Sequence, residues 1–259
     1  MDKYTEMSTQ DQSNALPVSG DTHTILQSIG LHLFPGILGV SGYFALATPV
    51  KDLGYPSILA LILAGGLIIT PVELGILFYK SRKHNKKLLG EVIHYLDPLP
   101  RKDYLIWVPV IFLGSGLIMA LFGPLTEAAA SFFTWLPESM ILDMGLSETY
   151  PLSKLIVTYT LLFLLIVLIG PFTEELYFRG YLLPRMPAKM KAWGPVLHSI
   201  LFAAYHLWTP WFIFARSFAL LPLIYTVKYK KNLILGVIAH CLLNSIDFII
   251  GLVFIINQL

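Results

Sequence analysis

The sequence has few charged residues. Asp, Glu, Lys and Arg make up only 13% of its 259 residues, about half the share found in an ordinary soluble domain. Hydrophobic residues make up 56% and the mean hydropathy is +0.69, which excludes a disordered chain, because disorder needs high charge and few apolar residues. So much apolar surface also argues against a soluble globular protein and favours a polytopic membrane protein.

Several kinds of functional site are missing from the sequence. A single cysteine, Cys241, excludes an internal disulfide framework and a thiolate metal cluster. There is no Gly-x-Ser-x-Gly nucleophile elbow, no His-Glu-x-x-His zinc motif and no glycine-rich phosphate loop. The formal net charge of +2 provides no global field for nucleic acid, which is therefore not expected as a partner.

Apolar segments predict an all-α polytopic membrane bundle with about seven to eight transmembrane helices. Each segment approaches the roughly 20 residues that a helix needs to cross a bilayer. The segments lie near 25–48, 56–79, 104–123, 151–170, 193–208, 210–227 and 233–257. A polar segment, 172–183, continues the fourth span, and the mixed segment 124–150 is expected to lie along the membrane interface.

The composition divides the chain into three regions. Residues 1–24 are polar, lack an apolar core and predict a flexible tail, not a secretory signal peptide. Residues 25–150 hold the N-terminal transmembrane helices and loops. Residues 151–259 hold the remaining spans and all of the polar clusters described below.

The distribution of basic residues predicts an orientation. Most Lys and Arg residues lie in segments 80–102, 185–191 and 228–231, whereas segment 124–150 is acidic. With seven spans, the three basic segments fall on one side of the membrane and the acidic segment on the other. Basic loops face the cytoplasm, so the N-terminus is expected to be cytoplasmic and the C-terminus outside.

Two adjacent carboxylates stand at the end of the fourth apolar span. Ionisable residues in membrane helices are costly and indicate functional sites. Glu175 and Arg179 are spaced i,i+4, so they share a helix face and can pair. Glu174 lies about 100° away around the helix and has no cation at helical spacing. An unpaired carboxylate of this kind is suited to act as a general base. The alternative is a solvated turn at the membrane surface, because Gly170-Pro171 precedes the pair.

Two further polar clusters lie in the last third of the chain. His206 follows Phe202 by one helical turn, and such a lone histidine commonly forms only an interhelical hydrogen bond. His240, Asn244 and Asp247 follow an i, i+4, i+7 pattern and form one stripe, which must face protein or water. Interhelical hydrogen bonding is the alternative for this stripe too, but three polar groups on one face favour a site.

Four other polar residues have no partner at helical spacing. His32, Glu73 and Arg216 are interpreted as marking helix ends or packing contacts. His198 is expected near the membrane interface.

The three clusters, in this order, resemble the motifs of a protease family. Glu174-Glu175-x-x-x-Arg179, Phe202-x-x-x-His206 and His240-x-x-x-Asn244 are similar to those of the CAAX prenyl endopeptidase type II and bacteriocin-processing (CPBP, or Abi) intramembrane proteases. The resemblance covers about 150–257 and implies that residues 151–259 form a catalytic transmembrane core.

The resemblance also implies roles for individual residues. Glu174 would activate a water molecule together with His206, and His240 and Asn244 would stabilise the tetrahedral oxyanion. Supporting roles fall to Glu175 and Arg179. Asp247 lies outside the motif, and we expect it to orient His240 or Asn244.

The resemblance implies a peptide-bond hydrolase without an obligatory cofactor. A divalent metal such as zinc, held by Glu174, His206 and His240, is the alternative mechanism. The expected partners are membrane lipid and a protein or peptide substrate, including a lipidated one such as a prenylated CAAX-like C-terminus. The expected location is the cell membrane in a prokaryote or the endoplasmic reticulum in a eukaryote.

Two rival functions are a proton-coupled transporter and a non-enzymatic bacteriocin-immunity or scaffold protein.

Overall fold

A computed structural model describes residues 22–259, which form a bundle of helices. No β-strand occurs in this range, so the prediction of an all-α polytopic bundle is confirmed. The predicted tail lies outside the described residues except for positions 22–24. The α-helices are α1 (Ile25–Asp52), α2 (Ile58–Ala64), α3 (Thr70–Lys83), α4 (Arg101–Leu121), α5 (Gly123–Ala130), α6 (Leu152–Leu161), α7 (Gly170–Glu174), α8 (Gly194–Tyr205), α9 (Ile213–Ala219), α10 (Leu221–Lys230) and α11 (Leu233–Ile256).

Among the described residues, five helices are long and apolar enough to cross a membrane, and a bent pair makes a sixth candidate. The five are Ile25–Asp52, Ile58–Lys83, Arg101–Leu121, Leu152–Arg185 and Leu233–Ile256. The count falls below seven because the segment expected at 193–208 forms α8, whose 12 residues are too few to span a bilayer. The segment expected at 210–227 instead forms α9 and α10, bent by 43°.

The first helix begins where its sequence provides a cap. Thr24 and Gln27 form a capping box, in which each side chain accepts a hydrogen bond from the other residue's backbone N–H group. This arrangement satisfies two of the N–H groups that a helix start leaves unpaired.

The helix that carries Glu174 and Glu175 is continuous from Leu152 to Arg185. The alternative of a turn at the membrane surface is therefore wrong, because the chain stays helical through Gly170-Pro171. Two π-helical segments, Leu162–Ile169 and Glu175–Leu182, flank α7. A π-helix replaces i→i−4 hydrogen bonds by i→i−5 bonds, and such segments are frequent at functional sites.

The packing joins the two halves of the chain. One buried apolar cluster includes Leu77 of α3 and Ile111 of α4 together with Phe178, Phe202 and Tyr205 from the second half. The exposed side chains of the long helices are themselves apolar, as Leu105, Leu113 and Leu117 of α4 illustrate. An apolar exterior around a polar interior is the arrangement that a lipid environment requires.

Candidate active site

A buried ion pair between Glu175 and Arg179 supports the site. Arg179 Nη1 lies 3.3 Å from Glu175 Oε1, and neither side chain is exposed, as the i,i+4 spacing predicts. His240 of α11 donates its Nδ1–H to the same oxygen over 3.0 Å. Gly236, one turn before His240, makes room for this contact, because a Cβ atom there would lie 2.6 Å from Glu175 Oε2. Glu175 therefore fixes the orientation of the His240 ring.

Glu174 lies beside this pair in a different environment. Its Oε2 is 3.8 Å from His240 Nε2, and its Oε1 accepts a hydrogen bond of 3.4 Å from the Tyr205 hydroxyl group. Its side chain remains 16% exposed, whereas that of Glu175 is sealed from solvent. Of the two adjacent carboxylates, Glu174 is therefore the one that surrounding protein atoms do not fully cover.

His206 directly follows the last residue of α8, and its ring contacts the ring of Phe202. Its Nδ1–H donates to the carbonyl oxygen of Phe202 over 2.9 Å, which leaves the lone pair of a neutral ring on Nε2. The Phe202 ring makes edge contacts with His206, at a centroid distance of 4.9 Å, and with His240, at 6.3 Å. Phe202 therefore contacts both histidine rings.

The α11 stripe is only partly directed at the site. Asn244 donates one Nδ2–H to the carbonyl oxygen of Ile166, 3.0 Å away in the first π-helical segment. Asp247 is exposed and, within the described chain, forms no hydrogen bond or ion pair. The hydrogen bonds of His240 and Asn244 go instead to Glu175 and Ile166, so in the described chain no hydrogen bond links Asp247 to the residues that it was expected to orient, and that role stays a prediction.

The match to known proteins covers this same part of the chain. Residues 156–246 match the sequence model of a family described as type II CAAX prenyl endopeptidase, Rce1-like. The resemblance to CPBP proteases is thereby confirmed for this segment, and the description of the matching family is that of a peptidase. Comparisons with curated proteins and with solved structures gave no match.

One residue at the site comes from outside the Rce1-like segment. Glu73 of α3 is fully buried, and its Oε1 accepts a hydrogen bond of 3.1 Å from the Tyr205 hydroxyl group. Its Oε2 has no hydrogen-bond partner. Interpreting Glu73 as an isolated residue was wrong. A single carboxylate inside an apolar helix was itself the signal, because such a group is costly without a function or a partner.

Arg216 of α9 was also treated as isolated, and it too belongs to the site. Its charge interacts with Glu174 and His206, and its Nη2 donates to Thr209 Oγ1 over 3.2 Å. The Thr209 N–H group in turn donates to the carbonyl oxygen of His206. Arg216 therefore supports the turn that follows His206.

His32 of the N-terminal half and His198 of the Rce1-like segment form a buried pair. His32 and His198 are fully buried, and His32 Nε2 lies 2.8 Å from His198 Nδ1. His32 donates its Nδ1–H to the carbonyl oxygen of Ser28 over 2.7 Å, so the Nε2 of a neutral His32 ring carries a lone pair. The hydrogen between the two rings therefore belongs to His198 Nδ1. His198 is buried because α8 packs against α1, and its expected position near the membrane interface stays a prediction.

The site does not fit the metal ligand set proposed from the sequence. Within residues 22–259, no group of three or more His, Cys, Asp or Glu side chains could hold a metal ion. Glu174 and His240 are close, with 3.8 Å between Oε2 and Nε2, but His206 does not join them in such a group. The reaction proposed for this site is therefore written without a metal ion.

Two cavities lie away from these residues. One of about 270 Å³ is bordered by His23, His84 and Lys80, and a second of about 410 Å³ shares His23 and Lys80. In this conformation, access to the site depends on the partial exposure of Glu174 and His206.

Proposed function

We propose that this chain is an intramembrane endopeptidase that hydrolyses peptide bonds with a water molecule activated by Glu174 and His206. The observation that carries the proposal is the unequal environment of the two carboxylates. Glu175 is sealed and paired with Arg179, whereas Glu174 is partly exposed between Tyr205 and His240.

The division of roles follows from these environments. Glu174 accepts a proton from water, whose oxygen then bonds to the carbonyl carbon of the peptide. His206, with its Nε2 lone pair free, positions or shares that proton. The C–N bond breaks as the proton passes to the departing amine. No covalent bond to the protein forms at any step.

His240 and Asn244 are suited to hold the oxyanion. His240 donates its Nδ1–H to Glu175, which directs Nε2 towards Glu174, and a proton carried on Nε2 would donate to developing negative charge. Asn244 commits one Nδ2–H to Ile166, and its second N–H is available. Donors fixed before the reaction are effective, and loss of one typically costs roughly 100–1,000-fold in rate.

We propose that the cleaved bond lies near the C-terminus of a peptide substrate. A prenylated CAAX-like sequence is the first candidate, because the matching family is described as prenyl endopeptidases. The proposed orientation keeps the N-terminus in the cytoplasm, at the cell membrane of a prokaryote or the endoplasmic reticulum of a eukaryote. The basic segments 80–102 and 228–231 support this orientation.

A cleavage assay tests the proposal. The detergent-purified protein would be incubated with a synthetic peptide carrying an S-prenyl cysteine three residues before its C-terminus, and mass spectrometry would identify the products. We expect cleavage by the unmodified protein and a loss of at least about 100-fold in Glu174→Gln. Glu148→Gln, which alters an exposed carboxylate, is the matched control. Equal cleavage by both variants would refute the role of Glu174.

The rival functions predict different outcomes. A scaffold or immunity protein would retain its biological effect in Glu174→Ala and His206→Ala and would cleave no peptide. A transporter would move protons or solute in proteoliposomes, and Glu174→Gln would abolish that flux.

A further inference from the structure

Arg216 has an unused hydrogen-bonding group inside the site. Its Nη2 donates to Thr209 Oγ1 over 3.2 Å, while its Nη1 is buried without a hydrogen-bond partner. A buried donor without an acceptor costs free energy, and the cost is larger for a charged group. An unsatisfied guanidinium group next to catalytic side chains is therefore a feature that a bound molecule would complete.

The position of Arg216 indicates what that molecule must carry. Through Thr209, Arg216 contacts the turn that follows His206, and within the described residues it forms no ion pair with a carboxylate. Guanidinium groups bind carboxylates through two parallel N–H donors. A peptide always brings one carboxylate, at its C-terminus, whatever its sequence.

We propose that Arg216 binds the C-terminal carboxylate of the peptide substrate and so selects bonds close to a free C-terminus. The inference rests on the proposed function, since it requires a peptide at Glu174. Because Arg216 contacts the turn that follows His206, a carboxylate bound there would keep the C-terminus of the peptide beside the residues that act on its peptide bond.

Other basic residues are less suited to this role. Arg185 already donates to the carbonyl oxygens of Val92, Tyr181 and Glu91. Lys189 is exposed and lies in a surface segment that follows the long helix. Both are explained by the bias of basic residues towards one side of the membrane.

The test compares two peptides that differ only at the C-terminus. One carries a free carboxylate and the other a carboxamide, and both carry the S-prenyl cysteine. We expect the unmodified protein to prefer the free acid by about 10- to 100-fold in kcat/KM, the range of one charge-assisted interaction. In Arg216→Met the preference should fall to within about twofold of unity, and Arg216→Lys should retain part of it. Lys189→Met, which removes a cation outside the site, should keep the full preference.

The outcomes separate this inference from the proposed function. If the unmodified protein cleaves neither peptide, the proposed function fails. If it cleaves both equally, or if Arg216→Met keeps the preference, the protease stands and the role of Arg216 is overturned. Should Arg216→Met be too slow to assay, fluorescence anisotropy of the two labelled peptides gives the same ratio. An equal loss of affinity for acid and amide would show that Arg216 only balances the charge of Glu174, and this too would overturn the inference.

Discussion

Tyr205 donates its hydroxyl hydrogen to Glu73 over 3.1 Å, and this bond crosses the boundary between the Rce1-like segment and the N-terminal helices. The same hydroxyl group lies 3.4 Å from Glu174. Because one hydroxyl hydrogen serves two carboxylates, the position of Glu174 depends on a residue in α3. The N-terminal half is therefore part of the site.

Tyr205→Phe should weaken both the fold and the activity. The substitution removes the one hydrogen bond that Glu73 forms in the described chain, and a buried acceptor left unsatisfied costs about 1–3 kcal/mol, more if it is charged. We expect a lower apparent Tm in detergent and a fall in kcat of at least about tenfold, because Glu174 loses a positioning contact. Tyr225→Phe, at an exposed tyrosine of α10, should change neither quantity. An unchanged Tm and kcat in Tyr205→Phe would contradict this role.

Gly236→Ala should disturb the pairing of Glu175 with His240. The new Cβ atom would lie 2.6 Å from Glu175 Oε2 and 2.8 Å from Val227 Cγ2, and such overpacking typically costs about 1–3 kcal/mol. The matched control is Gly75→Ala in α3, where nothing lies within 4 Å and alanine should stabilise the helix by about 0.5–1 kcal/mol. Thermal unfolding and peptide cleavage would be measured for both. Opposite shifts in Tm are expected, and a tolerated Gly236→Ala with full activity would refute the packing argument.

Asn244 and Asp247 should respond differently to substitution although both lie on the same stripe. Asn244→Ala removes a proposed oxyanion donor and should lower kcat by roughly 100–1,000-fold with a much smaller effect on KM. Asp247→Asn alters an exposed side chain without a hydrogen bond and should leave kcat within about twofold, as surface substitutions usually do. Steady-state kinetics on the free-acid peptide decides between them. A large loss in Asp247→Asn would restore the orienting role expected from the sequence.

Chelators should not reduce cleavage, whereas His206→Ala should. The side chains of Glu174, His206 and His240 do not converge as a metal ligand set in the described chain, and a proton-transfer role for His206 is worth roughly 100–10,000-fold. The protein would be assayed after dialysis against a strong chelator, and its metal content would be measured by elemental analysis. Loss of activity on dialysis, with recovery on addition of zinc, would favour the metal-dependent alternative.

Local chemistry explains which parts of the structure could be predicted. Hydropathy gave the long spans, because transfer into lipid depends mainly on each segment's own composition. The i,i+4 spacing of Glu175 and Arg179 predicted their 3.3 Å ion pair, since neighbours on one helix face meet whatever the rest of the chain does. The short helix α8 and the 43° bend between α9 and α10 were not visible in hydropathy, because packing determines where an apolar segment turns.

By itself, the sequence determined that this protein is an apolar helical bundle with carboxylate, histidine and asparagine groups on its later helices. Only the tertiary structure decided that Glu174 rather than Glu175 is partly exposed, that Asp247 forms no hydrogen bond with His240 or Asn244 in the described chain, and that Glu73 and Arg216 join the site. Spacing along one helix determines which side chains share a face. Contacts between helices depend instead on their rotation and crossing, which the packing of the whole bundle sets.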